Sequence, residues 1–193
     1  MQLSIDEMFE ELTELTQKAI QFGYALKRLE HYQLKYKPSS NVWNIYECLE
    51  HLNLYGDHYL PEIEQALKMS NPNSKNSNYQ GSALGNYFVK IIRPVEGKIK
   101  KMKTATPMNP IAKELNKGTV DRFIDQQQKL LELLEKSRNH DLKNIKIKTT
   151  LSRFIALRLG DTLRFVVHHT ERHLVQAGEL LHKVGKNVEL NMA

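Results

Sequence analysis

The most informative stretch of this chain reads Arg164-Phe-Val-Val-His-His-Thr-Glu-Arg-His-Leu-Val-Gln176. His169 and His173 are four residues apart, so in a helix both imidazoles leave the same face. With Cβ atoms about 6 Å apart, their ring nitrogens can converge on one metal ion. The spacing is only suggestive, because a histidine directed inward is more often a hydrogen-bonded core residue.

A third ligand is expected from a second stretch, Trp43-Asn-Ile-Tyr-Glu-Cys-Leu-Glu-His-Leu52. Its apolar residues mark the inward face of another helix, and His51 lies on or beside that face. Histidines buried in a bundle need partners for their ring nitrogens, which three of them can find in a shared cation. We therefore treat His51, His169 and His173 as a candidate metal site.

Two residues near these histidines, His168 and Cys48, remain candidates for a contribution to the metal site. His168 points about 100° away from His169 around a helix and has Arg172 at its i+4 position, which favours His169 as the ligand. Cys48 lies one turn before His51. Core packing is the preferred interpretation for Cys48, because cysteine is among the most frequently buried residue types.

Four other candidate residues lie within seven positions of His51 in the sequence: Glu47, Glu50, Tyr55 and His58. We expect Glu47 to cap the start of its helix and Glu50 to face solvent, although either carboxylate could orient His51 through an imidazole N–H. Tyr55 and His58 could line a pocket, and ordinary packing is the preferred role for Tyr55.

Length and composition indicate one domain over residues 1–193, with 40% hydrophobic residues to supply its core. The single cysteine excludes an internal disulfide. We expect a cytoplasmic protein, because the N-terminus lacks a basic segment followed by an apolar run. No stretch approaches the roughly 18 uninterrupted apolar residues of a membrane span.

The net charge of +6 permits attraction to polyanions, and lysines gather at 98–103 and 143–148. Neither run is interleaved with aromatic residues that could stack on bases, and neither belongs to a recognisable nucleic-acid-binding motif. A solvated surface is the preferred interpretation, and we expect no nucleic-acid partner.

Apolar residues at helical spacing predict a first helix from about Ile5 to Tyr32. Asn44 followed three residues later by Glu47 resembles a capping box, which places the start of the second helix at about Ile45. Pro61 is expected to kink or end that helix.

The next segment predicts a long crossover between helices two and three. It combines a polar connection at 70–78, a short helix at 82–92 and four helix breakers: Pro94, Gly97, Pro107 and Pro110. A long crossover is typical of a bundle in which two neighbouring helices run parallel.

A third helix is predicted from a cap at Thr119 to about Ser137, and a fourth from a cap at Asp161 to a stop at Lys183 and Gly185. Four long amphipathic helices with few strand-like runs predict an all-α four-helix bundle.

Two common metal motifs do not fit. A zincin needs glutamate directly after its first histidine, where this chain has Thr170. A ferritin-like di-iron centre needs two Glu-x-x-His elements, and only Glu179-Leu-Leu-His182 is present. Three histidines with open positions favour catalysis, since structural zinc is usually closed by four ligands.

The chain resembles the DinB-like (YfiT-like) superfamily of metal-dependent enzymes over nearly its whole length. The resemblance is carried by 43–52 with its histidine, by Lys101-Met-Lys-Thr-Ala-Thr-Pro107, and most specifically by His169-Thr-Glu-Arg-His-Leu-Val-Gln176. It implies a divalent metal, zinc or nickel above others, on His51, His169 and His173. It also implies a substrate contact or a contact to a metal ligand for Gln176.

By the same resemblance, the expected function is thiol-dependent S-transfer to a small electrophile. The expected partners are a small-molecule substrate, with a low-molecular-weight thiol as one candidate, and a second copy in a homodimer. Two alternatives are a metal-dependent hydrolase that uses water, and a non-catalytic, stress-associated bundle that binds metal or ligand.

Overall fold

The computed structural model describes residues 3–72, 78–111, 113–150 and 154–185. Four long helices dominate it: α1 (Ile5–Lys27), α3 (Ile45–Lys68), α5 (Lys117–Ser137) and α6 (Leu159–Lys183). The shorter elements are α2 (His31–Leu34), α4 (Ala83–Ile92), a 3-10 turn (Thr106–Met108), and the strands β1 (Leu3–Ser4), β2 (Asn78–Tyr79), β3 (Lys146–Lys148) and β4 (Ala156–Arg158). Strand β1 pairs with β2 and β3 with β4, both antiparallel. The predicted all-α helical bundle is confirmed.

The four long helices form a ring in which α1 and α3 each pack against both α5 and α6. Helices α3 and α5 are parallel, because Asn53 bonds to Thr119 near their starts and Glu64 to Lys129 further along. The long crossover at 69–116 makes this possible, since parallel neighbours cannot be joined by a tight turn.

Helices α3 and α6 run antiparallel. His51 meets His173, and two turns further along α3, Tyr59 meets Phe165. The histidines therefore lie between two apolar clusters that share these helices, one containing Phe165 and the other Leu174.

Helix α3 begins as its sequence predicts. Asn44 Oδ1 accepts from the Glu47 backbone N–H at 2.8 Å, and Glu47 Oε2 accepts from the Asn44 N–H at 2.8 Å. Pro61 does not end the helix, which continues to Lys68. Burial of Leu60 and Ile63 gives roughly 1.5–3 kcal/mol each, enough to offset the roughly 3 kcal/mol that an interior proline costs.

Three predicted helix boundaries were wrong. The first helix ends at Lys27 rather than Tyr32, because Glu30 is extended and begins a new capping box with Gln33. Helix α5 is capped by Asn116 instead of Thr119, since Asn116 Oδ1 accepts from the Gly118 N–H at 2.8 Å.

The third error concerns Asp161, which is not the cap of α6. Arg158 holds the cap position, and Asp161 is fully buried in the first turn. It accepts from the Tyr79 hydroxyl at 2.8 Å and from the Ser82 hydroxyl at 2.6 Å. A carboxylate buried with such donors ties the start of α4 to α6.

The predicted short helix at 82–92 is present as α4, capped by Ser82. The fourth long helix ends at Lys183, followed by Gly185 at a φ of 70°, as its stop signal predicts. Among the helices of the described ranges, none combines the length and the apolar character that crossing a bilayer demands.

Candidate metal centre

The structure brings the three predicted histidines together. The Nε2 atom of His169 lies 3.2 Å from Nε2 of His51 and 3.1 Å from Nε2 of His173. One ligand atom from each residue falls within 4.8 Å of the others, and all three side chains are buried. Helix α3 supplies one ring, and the i, i+4 spacing on α6 supplies the other two.

Hydrogen bonds fix the orientation of two of the rings. His51 Nδ1 lies 2.6 Å from the backbone oxygen of Met108, and His173 Nδ1 lies 2.9 Å from Gln176 Oε1. Oxygen atoms of these groups only accept, so both Nδ1 atoms carry the proton. In the neutral rings, both Nε2 atoms therefore direct a lone pair at the centre of the cluster.

This arrangement fits a divalent metal better than it fits histidines alone. His169 Nε2 can donate one proton at most, so it cannot satisfy both lone pairs that face it. A cation would satisfy all three nitrogens. Tetrahedral bonds of 2.0–2.1 Å place ligand nitrogens about 3.3 Å apart, close to the separations observed.

The three imidazoles are held neutral, the form that binds metals. Burial lowers the pKa of His51 to about 4, an effect that Met108 opposes and Arg172 reinforces. Burial also holds the pKa of His169 and of His173 well below the usual 6.5, with further lowering from the neighbouring histidines. A metal would not need to displace protons from these rings near neutral pH.

Aromatic rings enclose the cluster. Trp43 lies 4.8 Å from His51 between ring centroids, and Tyr55 lies 4.3 Å from His169. Phe165 stacks on His169 at 5.5 Å with an interplanar angle of 15°. These contacts fix the ring planes and restrict water around the site. The tryptophan that precedes helix α3 thus belongs to the wall of the site.

Polar contacts hold the crossover against the two helices that carry the histidines. Met108 meets His51 from the 3-10 turn, and Lys113 Nζ lies 3.1 Å from Glu50 Oε1. The buried Arg172 guanidinium donates to the backbone oxygens of Ile92 and Lys100. Both helices that carry the histidines therefore also hold the crossover.

Glu50 corrects one prediction. It was expected to face solvent, but it is 5% exposed and bonds to Lys113 and to Arg122 at 3.2 Å. Two cations from the crossover and α5 allow a carboxylate to remain buried there. Sequence periodicity could not reveal this, because both cations are distant in the chain.

The remaining candidates have other contacts. Glu47 is bound to its cap and to Lys37 Nζ at 2.7 Å. His168 Nδ1 lies 2.8 Å from Glu171 Oε2, and His58 Nε2 lies 3.0 Å from the backbone oxygen of Lys148.

Cys48 is fully buried in the apolar core, and burial raises the pKa of its thiol far above the usual range. An inert thiol is the consequence.

The metal-free protein is expected to lose stability in acid. The folded histidines stay neutral while unfolded ones take up protons below about pH 6.5, so the free energy of unfolding falls as the pH drops from 6.5 to about 4. The shift of His51 alone corresponds to about 3 kcal/mol. Urea unfolding of chelator-treated protein at several pH values measures this, and His51→Gln should reduce the slope. A flat profile would contradict it.

Taken with the fold, this geometry defines a class: helical bundles that hold a buried three-histidine cluster between antiparallel helices. In a comparison with known families, the DinB superfamily matches residues 14–177. The chain belongs to the DinB superfamily. Neither a curated protein nor a solved structure matches it at a significant level.

Proposed function

We propose that this protein is a metal-dependent enzyme that holds a divalent ion, zinc or nickel, on His51, His169 and His173. The supporting observation is the set of three neutral, buried imidazoles in which Nε2 of His169 lies 3.2 Å from Nε2 of His51 and 3.1 Å from Nε2 of His173. Membership of the DinB superfamily agrees with a metal-binding enzyme. Within the described ranges, three residues lie close enough together to bind one metal ion: His51, His169 and His173. Three protein ligands leave coordination positions of the metal open to a small molecule.

Such an ion would supply Lewis acidity at a site where all three protein ligands are uncharged. The chain's own residues have separate tasks. Met108 and Gln176 hold the protons of His51 and His173 on Nδ1. Trp43 packs against the rings of His51 and His173 and limits access of water.

Thiol-dependent S-transfer to a small electrophile is the reaction we favour. The side chains that pack on the three rings include the aromatic residues Trp43, Tyr55 and Phe165. Glu50, next to His51 in sequence, is already paired with Lys113 and Arg122. Hydrolysis usually relies on a general base to activate water, whereas a thiol ionises more readily. The superfamily resemblance supports the same choice.

The test is turnover by metal-loaded protein with a panel of low-molecular-weight thiols and small electrophiles. We expect product only when both thiol and metal are present, and His173→Ala should reduce it to background. Turnover without thiol would instead support a hydrolase. Metal binding without turnover of any substrate would overturn the enzymatic proposal and leave a non-catalytic metal-binding bundle.

A further inference from the structure

A small, partly open cavity lies beside the candidate metal centre, between helices α3, α5 and α6. Its volume is about 10 Å³, which is room for about one water molecule. His169 lines it from α6, and Gln126 and Gln127 line it from α5. The cavity therefore connects one of the three histidines to the polar side chains of a helix that carries none of them.

Both glutamines that line the cavity carry a buried oxygen atom without a hydrogen-bond partner among the described residues: Oε1 of Gln126 and Oε1 of Gln127. Gln127 is 6% exposed. The amide nitrogen of Gln126 donates to the Asn53 backbone oxygen at 3.2 Å and to Asp57 Oδ1 at 2.8 Å, which fixes its amide orientation. Each buried acceptor without a partner costs about 1–3 kcal/mol.

Gly56 makes room for this arrangement. A Cβ atom at position 56 would lie 2.1 Å from Gln126 Oε1, closer than any side chain could accept. Because Gly56 also lines the cavity, it lets Gln126 pack closely against α3.

His169 supplies the complementary donor. Its Nε2 faces the other two histidines, so its Nδ1 is the nitrogen that remains. The Nδ1 atoms of His51 and His173 each have an oxygen partner, whereas Nδ1 of His169 has none within the described part of the chain. Metal-binding histidines almost always donate this second N–H to a carboxylate, a carbonyl or a water.

We propose that the cavity binds one ordered water within hydrogen-bonding distance of His169 Nδ1, Gln126 Oε1 and Gln127 Oε1. With a cation on Nε2 the single ring proton of His169 lies on Nδ1, and the water then accepts from Nδ1–H and donates its two protons to the two glutamine oxygens. One molecule then satisfies all three groups, which matches the usual three hydrogen bonds of a buried water. Gln127 becomes a positioning residue that acts on His169 through this water. The water site stands on the cavity and its lining, and only its effect on metal affinity rests on the proposed function.

The first test is a high-resolution crystal structure of the wild-type protein. We expect a water within hydrogen-bonding distance of His169 Nδ1 and both glutamine oxygens, with or without metal. A dry cavity, or a direct hydrogen bond between His169 and either glutamine, would overturn the proposal.

The second test compares zinc affinity, by competition with a chromogenic chelator, in three variants. Gln127→Leu keeps the bulk but removes the acceptor, and should weaken binding 10- to 100-fold. Gln127→Glu keeps an acceptor and should restore affinity to within a few-fold of wild type. Gln128→Leu is the matched control, since Gln128 is exposed on the same helix and should bind as wild type does.

Wild-type affinity in Gln127→Leu would overturn the positioning role. If the wild-type protein binds no metal while the crystal shows the water, the proposed function fails and the water site is supported. The two proposals can therefore be judged separately.

Discussion

Alanine in place of His169 is expected to lower the affinity for a divalent ion on the order of several hundredfold. Structural zinc sites bind with about 10–16 kcal/mol over four ligands, so one ligand contributes roughly 2.5–4 kcal/mol. His169 is the middle member of the cluster, with its Nε2 3.2 and 3.1 Å from the other two. Elemental analysis and chelator competition on the purified variant measure the loss.

His168→Ala is the matched control for that experiment. The two histidines are adjacent on α6 and both are buried, but His168 bonds to Glu171 at 2.8 Å instead of facing the cluster. We expect this variant to keep full metal content. Equal losses in both variants, or full metal content in the triple variant of His51, His169 and His173, would refute the ligand assignment.

Asp161→Ala is expected to lower the free energy of unfolding by about 3 kcal/mol or more. The carboxylate is fully buried and accepts from the Tyr79 hydroxyl and from the backbone N–H and hydroxyl of Ser82. Its removal leaves the buried Tyr79 hydroxyl and the half-buried Ser82 donors without their partner, at about 1–3 kcal/mol for a buried donor. Chemical denaturation followed by circular dichroism measures the change.

Two substitutions calibrate this result. Tyr79→Phe removes one of the donors and should cost about 1 kcal/mol. Asp6→Ala removes a carboxylate that is 96% exposed and lies 3.6 Å from Arg138, and should change stability by less than about 0.5 kcal/mol. A cost for Asp161→Ala no larger than that of Asp6→Ala would show that the buried carboxylate does not tie α4 to α6.

Structural features that depend on residues close together in the sequence were predictable. The Asn44 and Glu47 capping box depends on residues three apart, and the shared face of His169 and His173 depends on helical periodicity. Inward placement of His51 followed from the same periodicity. The superfamily resemblance, carried by these same stretches, is confirmed by the match to residues 14–177.

Features made by distant contacts were not predictable. Glu50 was assigned to solvent because its cations, Lys113 and Arg122, are far away in sequence. Asp161 looked like a cap because a lone aspartate before an apolar run has that pattern, and its partner Tyr79 belongs to another segment. His51 bonds to the backbone oxygen of Met108. The amino-acid type at position 108 therefore gives no indication of this contact.

The hydrogen bond between His51 and the Met108 backbone oxygen does not depend on the side chain at position 108. Because His51 is oriented by a carbonyl that every amino acid possesses, position 108 can exchange its side chain while the imidazole keeps its alignment. Side chains of the crossover can thus change by substitution while the two helices that carry the histidines stay the same.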